Sequence, residues 1–213
     1  MKLKINEIYY SIQGESSYMG KPCIFIRLTY CNLRCTYCDS EYTFYDGNDM
    51  AIKEVINKIK KYPCNLVEVT GGEPLFQKEC INLLQELVKN NYDVMLETSG
   101  SLSTKSVPKE VINIIDFKCP SSNMKKKNHW ENIMYLKPID EVKFVIGNRE
   151  DYEWAKQKIY QYKIDQQCSV LLSPTYNEIN PDKIVKWILE DNLNVRFQIQ
   201  LHKIIWPNTD KGV

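Results

Sequence analysis

Histidine is almost missing from this chain: His129 and His202 are the only two in 213 residues. They lie far apart in sequence, and no second Cys-x-x-Cys knuckle exists, so a closed structural zinc site has few donors to draw on. An excess of charge of either sign is missing as well. The 28 Lys and Arg stand against 27 Asp and Glu, a formal net charge of +1, which argues against a bulk electrostatic surface for nucleic acid. No apolar run approaches the length that spans a bilayer. The opening Met1-Lys-Leu-Lys-Ile-Asn-Glu-Ile8 turns polar too soon for a signal peptide. Internal repeats and low-complexity linkers are absent. Eight cysteines without a secretory segment therefore point to a reducing, cytoplasmic setting and to metal chemistry, not to a disulfide framework.

What is present suits one ordered domain over residues 1–213, a length ample for one and short for two. A composition 43% hydrophobic and 26% charged is that of a chain with a proper core.

The most informative stretch is Cys31-Asn-Leu-Arg-Cys35-Thr-Tyr-Cys38-Asp39-Ser40, directly after the apolar run 23–30. Thiolates are soft ligands that select iron–sulfur clusters, zinc or copper(I). A cubane cluster takes one thiolate on each of four irons, and here one loop offers three. Cys23, Cys64, Cys80, Cys119 and Cys168 are scattered and single; Cys23, Cys119 and Cys168 fall in or beside apolar runs, where free cysteine acts as a small hydrophobe. One iron would keep an open position for a cofactor or substrate. Spacing favours a cluster, with structural zinc as the alternative.

Along the rest of the chain, β-formers dominate residues 5–12, ahead of the polar turn Gln13-Gly14-Glu15. The run 23–30 reads as the first barrel strand and carries Arg27, which either seeks a carboxylate or phosphate or faces solvent. Helical spacing covers 50–61, 77–90, 150–162 and 182–189, with a short helix at 129–136. Strands are predicted at 66–70, 93–98, within 111–119, and at 141–146, 168–172 and 194–201. Gly71-Gly72-Glu73-Pro74 follows the second barrel strand, where two glycines leave backbone groups open to a ligand. Lys125-Lys126-Lys127 reads as a solvated loop. Strands alternating with helices, with polar clusters after the strands, imply a parallel α/β sheet whose carboxyl edge carries the site. A full eight-fold barrel needs about 250 residues, so the expected fold is α/β, a partial, open TIM-type barrel of about six parallel strands.

The spacing Cys-x-x-x-Cys-x-x-Cys, with Tyr37 before the third cysteine, resembles the signature of radical S-adenosylmethionine enzymes. That resemblance implies a [4Fe-4S] cluster on Cys31, Cys35 and Cys38, with S-adenosylmethionine chelating the open iron. Reduction would split the sulfonium and release a 5′-deoxyadenosyl radical, so that the cofactor carries the hard chemistry. Gly71-Gly72-Glu73-Pro74 resembles the second motif of these enzymes, whose backbone contacts the amino group of S-adenosylmethionine. Gln13-Gly14-Glu15, Arg27, Cys38-Asp39-Ser40, Glu97-Thr98-Ser99-Gly100, Lys118-Cys-Pro-Ser-Ser and Leu201-His202-Lys203 together resemble the 7-carboxy-7-deazaguanine synthase family. The likeness runs from about residue 6 to the C-terminus. It implies a radical ring contraction of 6-carboxy-5,6,7,8-tetrahydropterin with loss of ammonia, in queuosine or 7-deazapurine biosynthesis.

By the same resemblance Ile12, Gln13, Gly14, Glu15, Arg27 and Thr70 would hold the pterin, with Arg27 on its carboxylate. Tyr37, Cys38, Asp39, Gly72, Glu73 and Ser99, with Ser121, Ser122 and Asn123, would line the S-adenosylmethionine site. Mg²⁺ would take the hydroxyl of Ser40, where the family usually has threonine; serine lacks the methyl that restrains the rotamer. The C-terminus also varies among members, so a role for the Val213 carboxylate does not carry over. A flavodoxin or ferredoxin as reductant and a homodimer are further implications, with neither nucleic acid nor membrane as partner. Two alternatives stand beside this one: a glycyl-radical activating enzyme, which leaves Gln13-Gly14-Glu15 and Arg27 unexplained, and a zinc-stabilised binding module.

Overall fold

The computed structural model describes residues 2–209 and 211–213. Its framework is one nine-stranded sheet in the order β3-β1-β2-β4-β5-β6-β7-β8-β9. The strands are β1 (Lys2–Ile12), β2 (Pro22–Leu28), β3 (Asn48–Ala51), β4 (Leu66–Gly71), β5 (Asp93–Thr98), β6 (Ile112–Asp116), β7 (Glu141–Ile146), β8 (Ser169–Pro174) and β9 (Arg196–Phe197). From β2 to β9 every neighbouring pair is parallel. Six full strands and the two-residue β9 thus make the open, parallel-dominated barrel wall.

Around that wall several details go beyond the expectation or differ from it. β1 runs antiparallel to both β2 and β3: the loop 13–21 is too short for a parallel crossover, which takes a dozen or more residues. Asn48–Ala51, part of which reads as helix start, is instead the edge strand β3, and the Ala51 N–H donates to Glu54 Oε2 at 2.7 Å as the helix begins. The last strand is also shorter than 194–201. Only Arg196 and Phe197 pair with β8, and the chain turns into a short helix α5 (Leu201–Ile205).

Alternation sorts the strands into two faces. Outward residues such as Ile24, Ile26, Val67, Val69 and Leu96 are buried under α1 (Ile52–Ile59) and α2 (Cys80–Lys89). In α1 the apolar positions Ile52, Val55, Ile56 and Ile59 follow the helical repeat and are all buried. The other half of the wall, with Val142, Phe144, Ile146, Val170 and Leu172, packs under α3 (Arg149–Tyr162) and α4 (Pro181–Glu190). Asn148 caps α3 by accepting from the Asp151 N–H, and Pro181 opens α4. Between β6 and β7 the connection is made of 3-10 turns, Trp130–Tyr135 among them, where a short helix is expected from sequence. Inside the sheet, Tyr9, Cys23, Phe25, Leu66, Met95 and Ile114 form a separate apolar cluster. Among the described residues no helix is long and apolar enough to cross a membrane.

Candidate active site

A cavity of about 540 Å³ opens at the carboxyl ends of the parallel strands, where open α/β sheets place their ligand sites. Its size is that of a small-molecule pocket. Phe25 and Ile114, from the inner apolar cluster, line it. Two residues further along their strands, Arg27 and Asp116 point into the same space, joined by Thr70 on β4, Glu97 on β5 and Lys143 on β7.

One wall is the cysteine loop. The chain leaves β2 through Tyr30, whose φ of 78° is a left-handed conformation uncommon for a bulky residue. Tyr30 is held there because its N–H donates to Thr43 O and its carbonyl accepts from the Glu73 N–H, both at 2.9 Å. Gly72 makes this packing feasible: a Cβ on it would lie 2.5 Å from Tyr30 O and 2.7 Å from Cys31 Cβ. The second glycine therefore serves the close approach of two backbones. On the far side of the loop, Thr36 Oγ1 donates to Ser121 O at 2.6 Å and its N–H to Ser122 O at 3.3 Å.

Cys31, Cys35 and Cys38 are free, half-buried and all line the cavity. Burial raises the pKa of the Cys31 thiol, opposed by the Leu33 N–H, and separately pushes Cys35 up to about 11, opposed by the Lys118 ammonium. Forming thiolates here therefore calls for cationic partners. Among the described residues no three His, Cys, Asp or Glu side chains converge on the point a single ion would need. Three thiols along one cavity wall are instead the donor set of a cluster whose irons each take one thiolate. Beside them the Tyr37 hydroxyl is buried with no hydrogen-bond partner among the described residues, a polar atom left unsatisfied by the chain itself.

The opposite wall is an ionic lattice. Arg27 Nε donates to Glu7 Oε1, and an Arg27 terminal nitrogen donates to the Tyr9 hydroxyl, both at 2.7 Å. Lys143 Nζ lies 2.7 Å from Glu15 Oε2, 2.5 Å from Glu97 Oε1 and 3.8 Å from Asp116 Oδ2. Lys118 pairs with Asp116 at 2.8 Å. Burial opposes ionisation of Glu97, yet Lys143 holds its carboxyl below the usual range. Burial, reinforced by the Glu97 and Glu15 carboxylates, pushes Glu68 well up. Glu68 accepts a short hydrogen bond from the Gln13 amide.

The third side is the C-terminal segment. The Leu201 N–H donates to Gly14 O at 2.9 Å, and a Cβ on Gly14 would lie 2.2 Å from His202 Nδ1. Lys203 Nζ sits 2.9 Å from Asp39 Oδ2. The Asp39 side chain is half exposed at the cavity mouth; desolvation by the surrounding walls works against its carboxylate, but Lys203 brings its pKa down to about 2. Burial also lowers the pKa of His202.

Ile12, Gln13, Gly14, Glu15, Arg27, Thr70, Tyr37, Asp39, Ser40, Gly72 and Ser99 all reach this one cavity with the three cysteines. Glu73 sits behind its wall, fully buried. It accepts from the Leu75 N–H at 3.0 Å, the Thr98 hydroxyl at 2.8 Å and the Ser99 N–H at 2.8 Å. Ser121, Ser122 and Asn123 lie outside the cavity lining: Ser121 N–H donates to Asp151 Oδ1 at 2.9 Å, Ser122 Oγ to Cys119 O at 2.6 Å, and Asn123 is exposed at φ 60°. Sequence reasoning missed Tyr9, Glu68, Asp116, Lys143 and Gln200 as parts of the site. The signal available for Glu68 and Lys143 was a charge within an apolar strand, with Glu68 on the same face as Thr70.

A family model described as the radical SAM superfamily matches residues 25–120. The chain is 44% identical over 226 aligned residues to a 7-carboxy-7-deazaguanine synthase of Koribacter versatilis, covering 99% of this chain and 100% of that protein. To the 7-carboxy-7-deazaguanine synthase of Chlorobaculum tepidum it is 41% identical, covering 99% and 97%. Among solved structures it resembles QueE from Escherichia coli with a TM-score of 0.80 at 21% identity, over 95% of each chain.

Proposed function

The chain belongs to the 7-carboxy-7-deazaguanine synthase family of radical S-adenosylmethionine enzymes, and we propose that it converts 6-carboxy-5,6,7,8-tetrahydropterin to 7-carboxy-7-deazaguanine and ammonia. The observation that carries this reading is that three free thiols and a paired arginine line one cavity of small-molecule size. A protein substrate, as in a glycyl-radical activating enzyme, would leave Arg27 inside the barrel without a use.

Cys31, Cys35 and Cys38 would hold the [4Fe-4S] cluster. Bound together, cluster and S-adenosylmethionine supply the radical that takes a hydrogen from the pterin. The chain's own residues bind and orient. The N–H groups of Gly72 and Glu73 are already engaged by Leu28 O and Tyr30 O. What that strand end offers a ligand is therefore carbonyl oxygen, which suits the ammonium of S-adenosylmethionine. The Tyr37 hydroxyl and the Asp39 carboxylate stand on the same wall, and Ser99 is placed by Glu73. Ser121 to Asn123, outside the cavity lining, would act on the S-adenosylmethionine site by gripping the cysteine loop at Thr36.

On the pterin side, two of the five Arg27 N–H donors are fixed by Glu7 and Tyr9. The remaining ones can pair with a carboxylate in the planar, forked geometry that lysine lacks. Glu15 and Glu97, held by Lys143, are acceptors suited to the N–H edge of an amino-pyrimidinone ring. Gln13 and Thr70 add neutral polar contacts, and the Phe25 and Ile114 surfaces exclude water from the floor. Ser40 supplies a hydroxyl to Mg²⁺, a hard cation that prefers oxygen. A flavodoxin or ferredoxin as reductant, and pairing with a second copy, complete the proposal.

The test is anaerobic turnover of the carboxytetrahydropterin by iron-loaded, reduced protein, with and without Mg²⁺. The expected result is the deazaguanine product and more of it with Mg²⁺. Cleavage of S-adenosylmethionine with the pterin untouched would replace this reading with another radical activity, and a colourless protein with stoichiometric zinc would end it.

A further inference from the structure

The cavity contains two carboxylates assigned to different ligands, Glu15 on the pterin side and Asp39 on the S-adenosylmethionine side, and a single side-chain nitrogen touches both. Gln200 Nε2 donates to Glu15 Oε1 at 2.9 Å and to Asp39 Oδ2 at 3.2 Å. Gln200 is half-buried, lines the cavity and precedes α5, with its side chain making no capping hydrogen bond to that helix. We infer that Gln200 is a positioning residue that couples the two ligand sites, so that filling one prepares the other. The inference rests on the assignment of Glu15 and Asp39 given above.

The physical basis is the shape of a primary amide. Its two N–H bonds lie in one plane at a fixed angle, and here one is available to each carboxylate. A ligand that draws Glu15 into a defined position orients the amide, and the amide in turn fixes Asp39. Each carboxylate also has a cation of its own: Lys143 lies 2.7 Å from Glu15, and Lys203 lies 2.9 Å from Asp39. Glu15 is largely buried and Asp39 half exposed, so removing the amide leaves neither carboxylate without its cation and breaks only the link between them. The backbone anchor of the segment, Leu201 N–H to Gly14 O, does not involve the side chain either.

Sequence gives no hint of this link, because the three residues are separated by 185 and 161 positions. They meet only because α5 folds back over the cavity mouth. Gln200 has no other hydrogen-bonding partner for its amide nitrogen among the described residues. Its position is thus defined by the two carboxylates it joins.

The experiment uses the iron-loaded holoprotein with its cluster oxidised, so that nothing turns over. Binding of S-adenosylmethionine is measured by anaerobic equilibrium dialysis with and without saturating 6-carboxy-5,6,7,8-tetrahydropterin. In the native chain the pterin is expected to tighten S-adenosylmethionine about five- to tenfold, the lower end of usual coupling between sites. Gln200→Met keeps the length and removes the donors; it should bind each ligand alone within about twofold of native, while the tightening falls to near unity. Under reducing conditions the same variant should release more 5′-deoxyadenosine per product. Lys203→Met removes the cation on Asp39 and should weaken S-adenosylmethionine binding both with and without the pterin. Tightening that persists in Gln200→Met, or is absent from the native chain, overturns the inference. Failure of the native holoprotein to bind the pterin at all would instead strike the functional proposal on which the inference stands.

Discussion

Glu7 and Arg27 face each other across the antiparallel β1–β2 ladder, and their side chains meet at 2.7 Å inside the cavity wall. The strand that departs from the parallel order thus supplies the counter-charge that aims the arginine.

That pairing predicts two distinguishable phenotypes. Arg27→Lys loses the fork and should lower kcat/KM by about two orders of magnitude, the scale of charge-assisted hydrogen bonds, while S-adenosylmethionine is still cleaved slowly. Glu7→Gln keeps Arg27 but loosens its aim, so KM for the pterin should rise by about tenfold with kcat little changed. Steady-state kinetics on both variants separates the two effects, and unchanged ring contraction by Arg27→Lys would count against the assignment.

Glu73 is a stability residue as well as a neighbour of the site. Glu73→Ala strands the donors of Leu75, Thr98 and Ser99 in the interior and should cost about 3 kcal/mol or more in a urea titration. Burial raises its pKa above the ordinary 4.5. A raised carboxyl means that the folded state retains a proton the unfolded chain has lost. Its contribution is therefore complete below pH 4.5 and declines as pH climbs through the folded value. Glu73→Gln should flatten that part of the stability–pH curve.

Lys143→Met leaves Glu15 and Glu97 without their shared cation. A loss of about 3–5 kcal/mol at pH 7 is expected, as when one partner of a buried pair is deleted. Because Lys143 holds Glu97 below its ordinary 4.5, the sign is opposite to that of Glu73. The stabilisation is present above 4.5 and is lost as pH falls through the lowered value. Adding Glu97→Gln to Lys143→Met should recover part of the loss in the same denaturation experiment, and a purely additive result would show that the pair does not interact.

Ser40 lies in the cavity lining at the end of the cysteine loop, with Oγ 3.9 Å from Cys38 Sγ. Ser40→Ala should raise the Mg²⁺ concentration for half-maximal turnover by about tenfold or more, the scale seen on losing a group that supports a metal. Ser40→Thr restores the restraining methyl and should lower it. Iron and sulfide content should not change in either variant, so a loss of cluster would point to a different role for the hydroxyl.

Much of this protein is legible in its amino-acid order alone. Three cysteines at fixed spacing on one loop are local, so their order along the chain alone announces the ligand set. Alternating apolar strands and 3.6-residue apolar helices are local patterns too, and they predicted the parallel wall and placed Arg27, Gly72 and Thr70 near its carboxyl edge. The tertiary structure decided what depends on meeting across distance. β1 runs antiparallel to β2 because the loop between them is too short for a crossover, and edge pairing with β1 draws Asn48–Ala51 into a strand where helical spacing claims its end. Glu7 and Tyr9 hold Arg27, Lys143 gathers carboxylates from three segments, and Gln200 joins Glu15 to Asp39, because curvature of the sheet and the return of α5 bring them together. A charged residue within an apolar strand reveals that it needs a partner, but only the fold says which one, since electrostatic pairing follows distance in space and not separation along the chain.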